Sequence, residues 1–301
     1  MRAIPQSGPD LTPKPLNADA SVINRLISAL GGGWVILLIL LFDTDFTVIF
    51  LTVAVTICNV TLFYAFGVPE KKLLERQRPL LEQYNGVQTD EKTSLRALFT
   101  QFSPSEKRSF VLLLAANFFA KLAYYAFSST MLNYAVRMWG MQYAHTSILS
   151  FILYLSGLLA LLFTARLARR WTRTRTLLLA YLLMLGGFSL GIFMKSFGVL
   201  AVAALLLTGI GWSMESVLPL PMLLELSGSG TVGIVTSLYT DSCKLGRVVG
   251  PLLSGLFLDA GRFGYRALYP FAAIAMLPAI LFVPFIRHGN AQLRKETENV
   301  Q

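Results

Sequence analysis

Charge is scarce in this chain: Asp, Glu, Lys and Arg make up 14% of 301 residues, where a soluble protein carries about 25%. Cysteine and histidine number two each. Cys58 and Cys243 lie far apart in apolar stretches. They read as small buried side chains, with no disulfide framework and no metal site. His145 and His288 fall at opposite faces of the expected membrane, and no metal-ligand cluster or nucleophile–base pair is visible. A GxxxxGK(S/T) phosphate loop is also missing, which argues against an ATP-driven pump. These absences point away from an enzyme and from a secreted disulfide-rich domain. What is abundant is apolar surface: 54% of residues are hydrophobic and the mean hydropathy is +0.59. A chain of this size cannot bury so much from water, so the fold class is an all-α polytopic membrane protein whose solvent is the lipid bilayer. The formal net charge of +10 fits Lys and Arg in cytoplasmic loops, with no nucleic-acid partner.

A transmembrane helix needs roughly 20 mainly apolar residues. Eight stretches qualify: about 22–42, 46–66, 109–132, 145–165, 176–194, 198–224, 233–257 and 267–286. The first 19 residues, with Pro5, Pro9, Pro13 and Pro15, read as a loop leading into a helix near Ala18, without a cleavable signal peptide. This divides the chain into a first unit of loop and two helices (1–66), a basic linker (67–108), a six-helix bundle (109–286) and a tail (287–301). The linker mixes Leu with charge at helical spacing, as in KKLLERQRPLLEQY, the pattern of interfacial helices. With the N-terminus inside, 19 Lys and Arg fall on the inner face and four on the outer, Arg137, Lys195, Arg262 and Arg266. By the positive-inside bias, both termini and the linker are expected in the cytoplasm of a cell (inner or plasma) membrane.

The stretch ARLARRWTRTRT from Ala165 resembles the short basic loop G-x-L-A-D-R-x-G-R-(K/R) of the major facilitator superfamily. It matches at Leu167, Ala168, Arg170 and Arg173, and departs at Ala165, Thr172 and Arg169. Three further segments, LTPKPLNADASVINRLISALGGG from Leu11, GIGWSMESVLPLPMLLEL from Gly209 and the long run Gly233–Ile274, resemble glycoside–pentoside–hexuronide and sucrose-type cation symporters. The resemblance implies twelve helices in two six-helix bundles, and it places the two leading spans at helices five and six. The first four helices would then be supplied elsewhere, by a longer gene product or a second polypeptide.

Several polar residues stand out within the spans. Asn117, Lys121, Tyr124 and Ser128 fall within about 60° of arc on one helix face, a stripe suited to hydrogen-bonding a polyol. A mid-membrane Lys costs roughly 2.5–3.5 kcal/mol on insertion scales, so pairing of Lys121 with an acid elsewhere in the bundle is the competing reading. Trp212 lies one turn from Glu215 and precedes Pro219 and Pro221, which bend the helix. It reads as a stacking platform for a sugar ring or as an ordinary core Trp. Glu225 is expected to meet water and headgroups. Asp241, Lys244 and Arg247 cost about 8–10 kcal/mol together, against roughly 4–7 returned by the rest of their helix. Their face is therefore expected to turn into the bundle, with Asp241 and Lys244 neutralising one another and Arg247 seeking Glu215 or Glu225. A charge ladder locking helices and a coupling site for H⁺ or Na⁺ both remain open.

The expected function is secondary active transport of a small solute, sugar- or glycoside-like, by alternating access. Asn117, Lys121, Tyr124, Ser128 and Trp212 are the candidate substrate contacts, and Glu215, Asp241 and Lys244 the candidate ion-coupling groups, with no further cofactor. The alternative is a non-transporting membrane fragment or subunit. The spacings Gly187-x3-Gly191 and Gly246-x3-Gly250 predict close helix packing.

Overall fold

A computed structural model describes residues 46–67, 99–100, 102–227, 231–259 and 264–289. Among them there is no strand, and eight α-helices run α1 (Phe46–Gly67), α2 (Pro104–Trp139), α3 (Tyr143–Arg170), α4 (Arg173–Ile192), α5 (Val199–Val217), α6 (Pro219–Leu226), α7 (Val232–Asp259) and α8 (Leu268–Phe282). Short 3₁₀ turns, Gly264–Ala267 and Val283–Phe285, flank α8. The expected span at 22–42 and nearly all of the linker lie outside the described residues.

The expected spans from 46 onward are present as helices, and three of the boundaries that differ have an evident local cause. α2 begins five residues earlier than its apolar run, because Ser103 and Glu106 form a reciprocal capping box ahead of Pro104. The Ser103 amide donates to the Glu106 carboxylate at 2.8 Å and the Ser103 hydroxyl accepts from the Glu106 amide, satisfying two otherwise orphaned donors. Lys107 and Arg108 thus belong to the first turns of the helix. At its other end α2 stops at Gly140, whose φ of +68° is the left-handed cap that glycine adopts without steric cost. The span expected at 198–224 is broken at Leu218 into α5 and α6, where Pro219 and Pro221 withhold two backbone donors.

Among the described residues five segments are long and apolar enough to cross a membrane: Pro104–Trp139, His145–Arg170, Arg173–Ile192, Val199–Leu226 and Gly264–Phe285. α7 has the length, at 28 residues, but Asp241, Lys244 and Arg247 lower its hydropathy. Cys58 is exposed on α1, contrary to expectation, beside exposed Leu51, Val55, Ile57, Val60 and Leu62. An apolar helix in lipid turns such side chains outward at no cost, so small and apolar does not imply buried here.

Packing is organised around α2, which lies against α7 and α8, while α5 lies against α3 and α4. Phe110, Leu113, Ala116, Ala120 and Phe127 of α2 are fully buried. The glycine spacings set the closest approaches. A Cβ at Gly250 would stand 2.5 Å from the Leu122 carbonyl oxygen and 3.0 Å from the Ala126 nitrogen. One at Gly246 would stand 2.7 Å from the Lys121 Cβ, and one at Gly187 would stand 2.7 Å from the Ala204 carbonyl oxygen. Bare backbone at these positions lets the helices touch.

Candidate functional site: a buried ion pair between two helices

α2 carries Lys121 to mid-helix, and α5 carries Glu215 opposite it. The Lys121 ammonium donates to the Glu215 carboxylate at 2.5 Å, with side chains 6% and 0% exposed. The same ammonium lies 4.0 Å from the centroid of the Trp212 ring. Trp212, one turn before Glu215, stacks on Tyr124 at 3.5 Å and 5° and meets Tyr125 edge-on at 5.4 Å. A cation, a carboxylate and an electron-rich indole thus share one dry compartment, where each attraction exceeds its value in water. The buried Tyr181 hydroxyl from α4 and the Tyr239 hydroxyl from α7 are within electrostatic range of Glu215.

The expected polar stripe on α2 divides. Asn117 is fully buried and donates to the Ser242 hydroxyl at 3.2 Å and toward the Cys243 sulfur at 3.4 Å. Ser242 in turn donates to the Leu114 carbonyl at 3.0 Å, so this end of the stripe ties α2 to α7. Lys121 and Tyr124, 4% and 6% exposed, turn toward α5, and Ser128 is half-buried. In this conformation Trp212 is 8% exposed with Tyr124 on its ring, so a solute reaching the indole must first part that stack.

The charged face of α7 does not turn into the described bundle. Ser242, Gly246 and Gly250 form the side against α2, because only small residues permit that approach. Asp241, Lys244 and Arg247, offset around the helix, are exposed. Among the described residues Asp241 and Lys244 form no ion pair. Arg247 finds neither Glu215 nor Glu225; its guanidinium lies 5.5 Å from the Tyr125 ring centroid. Both acids are engaged elsewhere, Glu215 by Lys121 and Glu225 by Arg173. Glu225 therefore does not simply meet water, since its side chain is 16% exposed and that of Arg173 only 6%. Sequence reasoning missed the Arg173–Glu225 pair, although Arg173 was one of the matched positions of the basic loop. Among the described residues no group of three or more His, Cys, Asp or Glu is placed to hold a metal ion.

The fold and this cluster define a multi-pass, all-α membrane protein with a charged pair buried between its helices. The family model described as Major Facilitator Superfamily matches residues 10–244 and again 113–300, and the chain belongs to that family of membrane transporters. No curated protein matches the chain.

Proposed function

We propose that the chain acts in cation-coupled secondary transport of a sugar- or glycoside-like solute, with Glu215 taking up H⁺ or Na⁺ and Lys121 as its counter-charge. The observation that carries this reading is the buried Lys121–Glu215 pair. A coupling acid must stay ionised until its ion arrives, and an adjacent ammonium does that. Asp241 meets this condition less well, being exposed and unpaired with Lys244. The sugar class is supported by the resemblance of the segments from Gly209 and Gly233 and by the aromatic group Tyr124, Tyr125 and Trp212. The excess of Lys and Arg on one side supports cytoplasmic termini in a cell membrane.

A second reading, a subunit completed by another polypeptide, is favoured by the exposed Asp241, Lys244 and Arg247 on α7, a face too costly to present to lipid. Ion-gradient-driven uptake of labelled glycosides into proteoliposomes separates the two. Accumulation by the chain alone, lost in Glu215→Gln, supports the first. Accumulation that needs a co-expressed fragment of four N-terminal helices supports the second. Accumulation unaffected by Glu215→Gln overturns the assignment of the coupling group.

A further inference from the structure

At the end of the bundle where α2 and α4 finish and α8 begins lies a pocket of about 570 Å³. Lys195 and Arg266 line it from two separate segments. A third cation stands close by: the Arg137 guanidinium lies 6.0 Å from the ring centroid of Tyr265, the neighbour of Arg266. Among the described residues no acidic side chain lines the pocket, and none of these cations is in an ion pair.

Helix ends account for part of this. Arg137 is in the last turn of α2 and Lys195 follows the end of α4, where carbonyl dipoles favour positive charge. Arg266 stands in the last turn of the 3₁₀ segment Gly264–Ala267, directly before α8. Lys195 and Arg266 thus bring two like charges to one space, where an anion between them would relieve their repulsion.

The wall supplies a further donor. Tyr134 is only 4% exposed yet lines the pocket, and no hydrogen bond reaches its hydroxyl among the described residues. Its ring is held edge-on by Trp139 and Tyr269 at 5.3 and 5.0 Å. Unlike the hydroxyls of Tyr181 and Tyr269, which are sealed in the core, this one opens onto the space that the cations line.

We propose that this pocket binds an oxyanion, a phosphate or carboxylate group, held by Lys195 and Arg266 with the Tyr134 hydroxyl donating to it. Such a group comes either from a lipid headgroup or from a soluble anion, and the test distinguishes them. The whole chain, purified in a neutral detergent, is titrated in turn with inorganic phosphate, short-chain phosphatidylglycerol and short-chain phosphatidylcholine. The thermal unfolding midpoint is followed throughout.

A saturable rise with inorganic phosphate assigns a soluble anion, and a rise with phosphatidylglycerol alone assigns a headgroup. In either case Lys195→Gln and Arg266→Gln should each weaken binding about tenfold and together about a hundredfold, as expected for charge-assisted bonds. Tyr134→Phe should weaken it about threefold, and Lys195→Arg with Arg266→Lys should retain it. Lys195 and Arg266 are exposed, so the midpoint without probe should not move in their Gln variants. No saturable shift with either anionic probe, an equal shift with phosphatidylcholine, or binding undiminished in the double Gln variant overturns the proposal.

Discussion

Removing one member of the Lys121–Glu215 pair tests whether it is a true buried pair. With side chains 6% and 0% exposed, solvent screens neither charge. Glu215→Met leaves an ammonium in the bundle interior with the Trp212 ring, 4.0 Å away, as its remaining aromatic partner, worth about 2 kcal/mol when desolvated. Lys121→Met leaves a fully buried carboxylate without that ammonium. Breaking a buried pair from one side costs about 3–5 kcal/mol, whereas replacing both partners by apolar groups of similar volume is close to neutral. Each single variant should therefore lose about 3–5 kcal/mol, and Lys121→Met with Glu215→Met should return to within about 1 kcal/mol of the parent. Denaturant unfolding in detergent, followed by Trp fluorescence, measures all three, and the double-mutant cycle isolates the pair. The restored double variant should still lack uphill solute accumulation, because stability returns without the titrating group. Losses that simply add in the double variant would refute the reasoning, since they would show that the two charges do not interact.

Three further outcomes follow from the packing and the charge distribution. Gly250→Ala places a methyl 2.5 Å from the Leu122 carbonyl oxygen and should cost about 1–3 kcal/mol by overpacking, while Gly255→Ala, with nothing within 4 Å, should be near neutral; equal effects would deny the close α2–α7 contact. Arg173→Leu should destabilise the chain by about 3–5 kcal/mol, and Arg173→Leu with Glu225→Leu should recover most of it, as read by the same unfolding assay; a mild single variant would mean that Glu225 is solvated after all. Cysteines at Thr44 and Gln88, in a chain whose Cys58 and Cys243 are replaced by Ala, should react with an impermeant reagent from opposite faces of the membrane; labelling of both from outside would overturn the cytoplasmic placement of the linker.

The helices from residue 46 onward were legible because hydrophobicity over some 20 residues is a one-dimensional signal, and the glycine spacings because close backbone approach demands small residues wherever it occurs. Pairing was not legible in the same way. Lys121 had an expected acid partner, but Glu215, Glu225 and Asp241 all lay in or near spans, and hydropathy does not say which helices touch. Depth would have narrowed the choice. Lys121 lies 17 residues into α2 and Glu215 16 residues into α5, about 25 Å along each helix at 1.5 Å per residue. The two helices are expected to start from opposite faces, so both side chains fall toward the middle. By the same reasoning Arg173, the first residue of α4, and Glu225, next to the last of α6, share one end of the bundle.

The reading of α7 failed for a different reason, and the failure bears on mechanism. Insertion cost argues against Asp241, Lys244 and Arg247 facing lipid, but it does not say that their own bundle must receive them. The helix has one side that can touch α2, and small residues at 242, 246 and 250 claim it. The charged side is left to whatever stands across from α7. A wall of this kind, apolar and tightly packed behind, charged in front, suits a helix that alternates between water and a facing surface. The Lys121–Glu215 pair, by contrast, sits behind the Tyr124–Trp212 stack, where a neutralised carboxylate would release the ammonium and alter the contact between α2 and α5. The coupling proposed for Glu215 is thus separable from any part the α7 charges play at that facing surface. Asp241→Asn should change the exposure of α7 more than it changes the dependence of accumulation on the ion gradient, and Glu215→Gln should do the reverse. Cysteine accessibility at Leu245, measured beside gradient-driven uptake, tells them apart; loss of coupling in Asp241→Asn with full accumulation in Glu215→Gln would return the coupling role to α7.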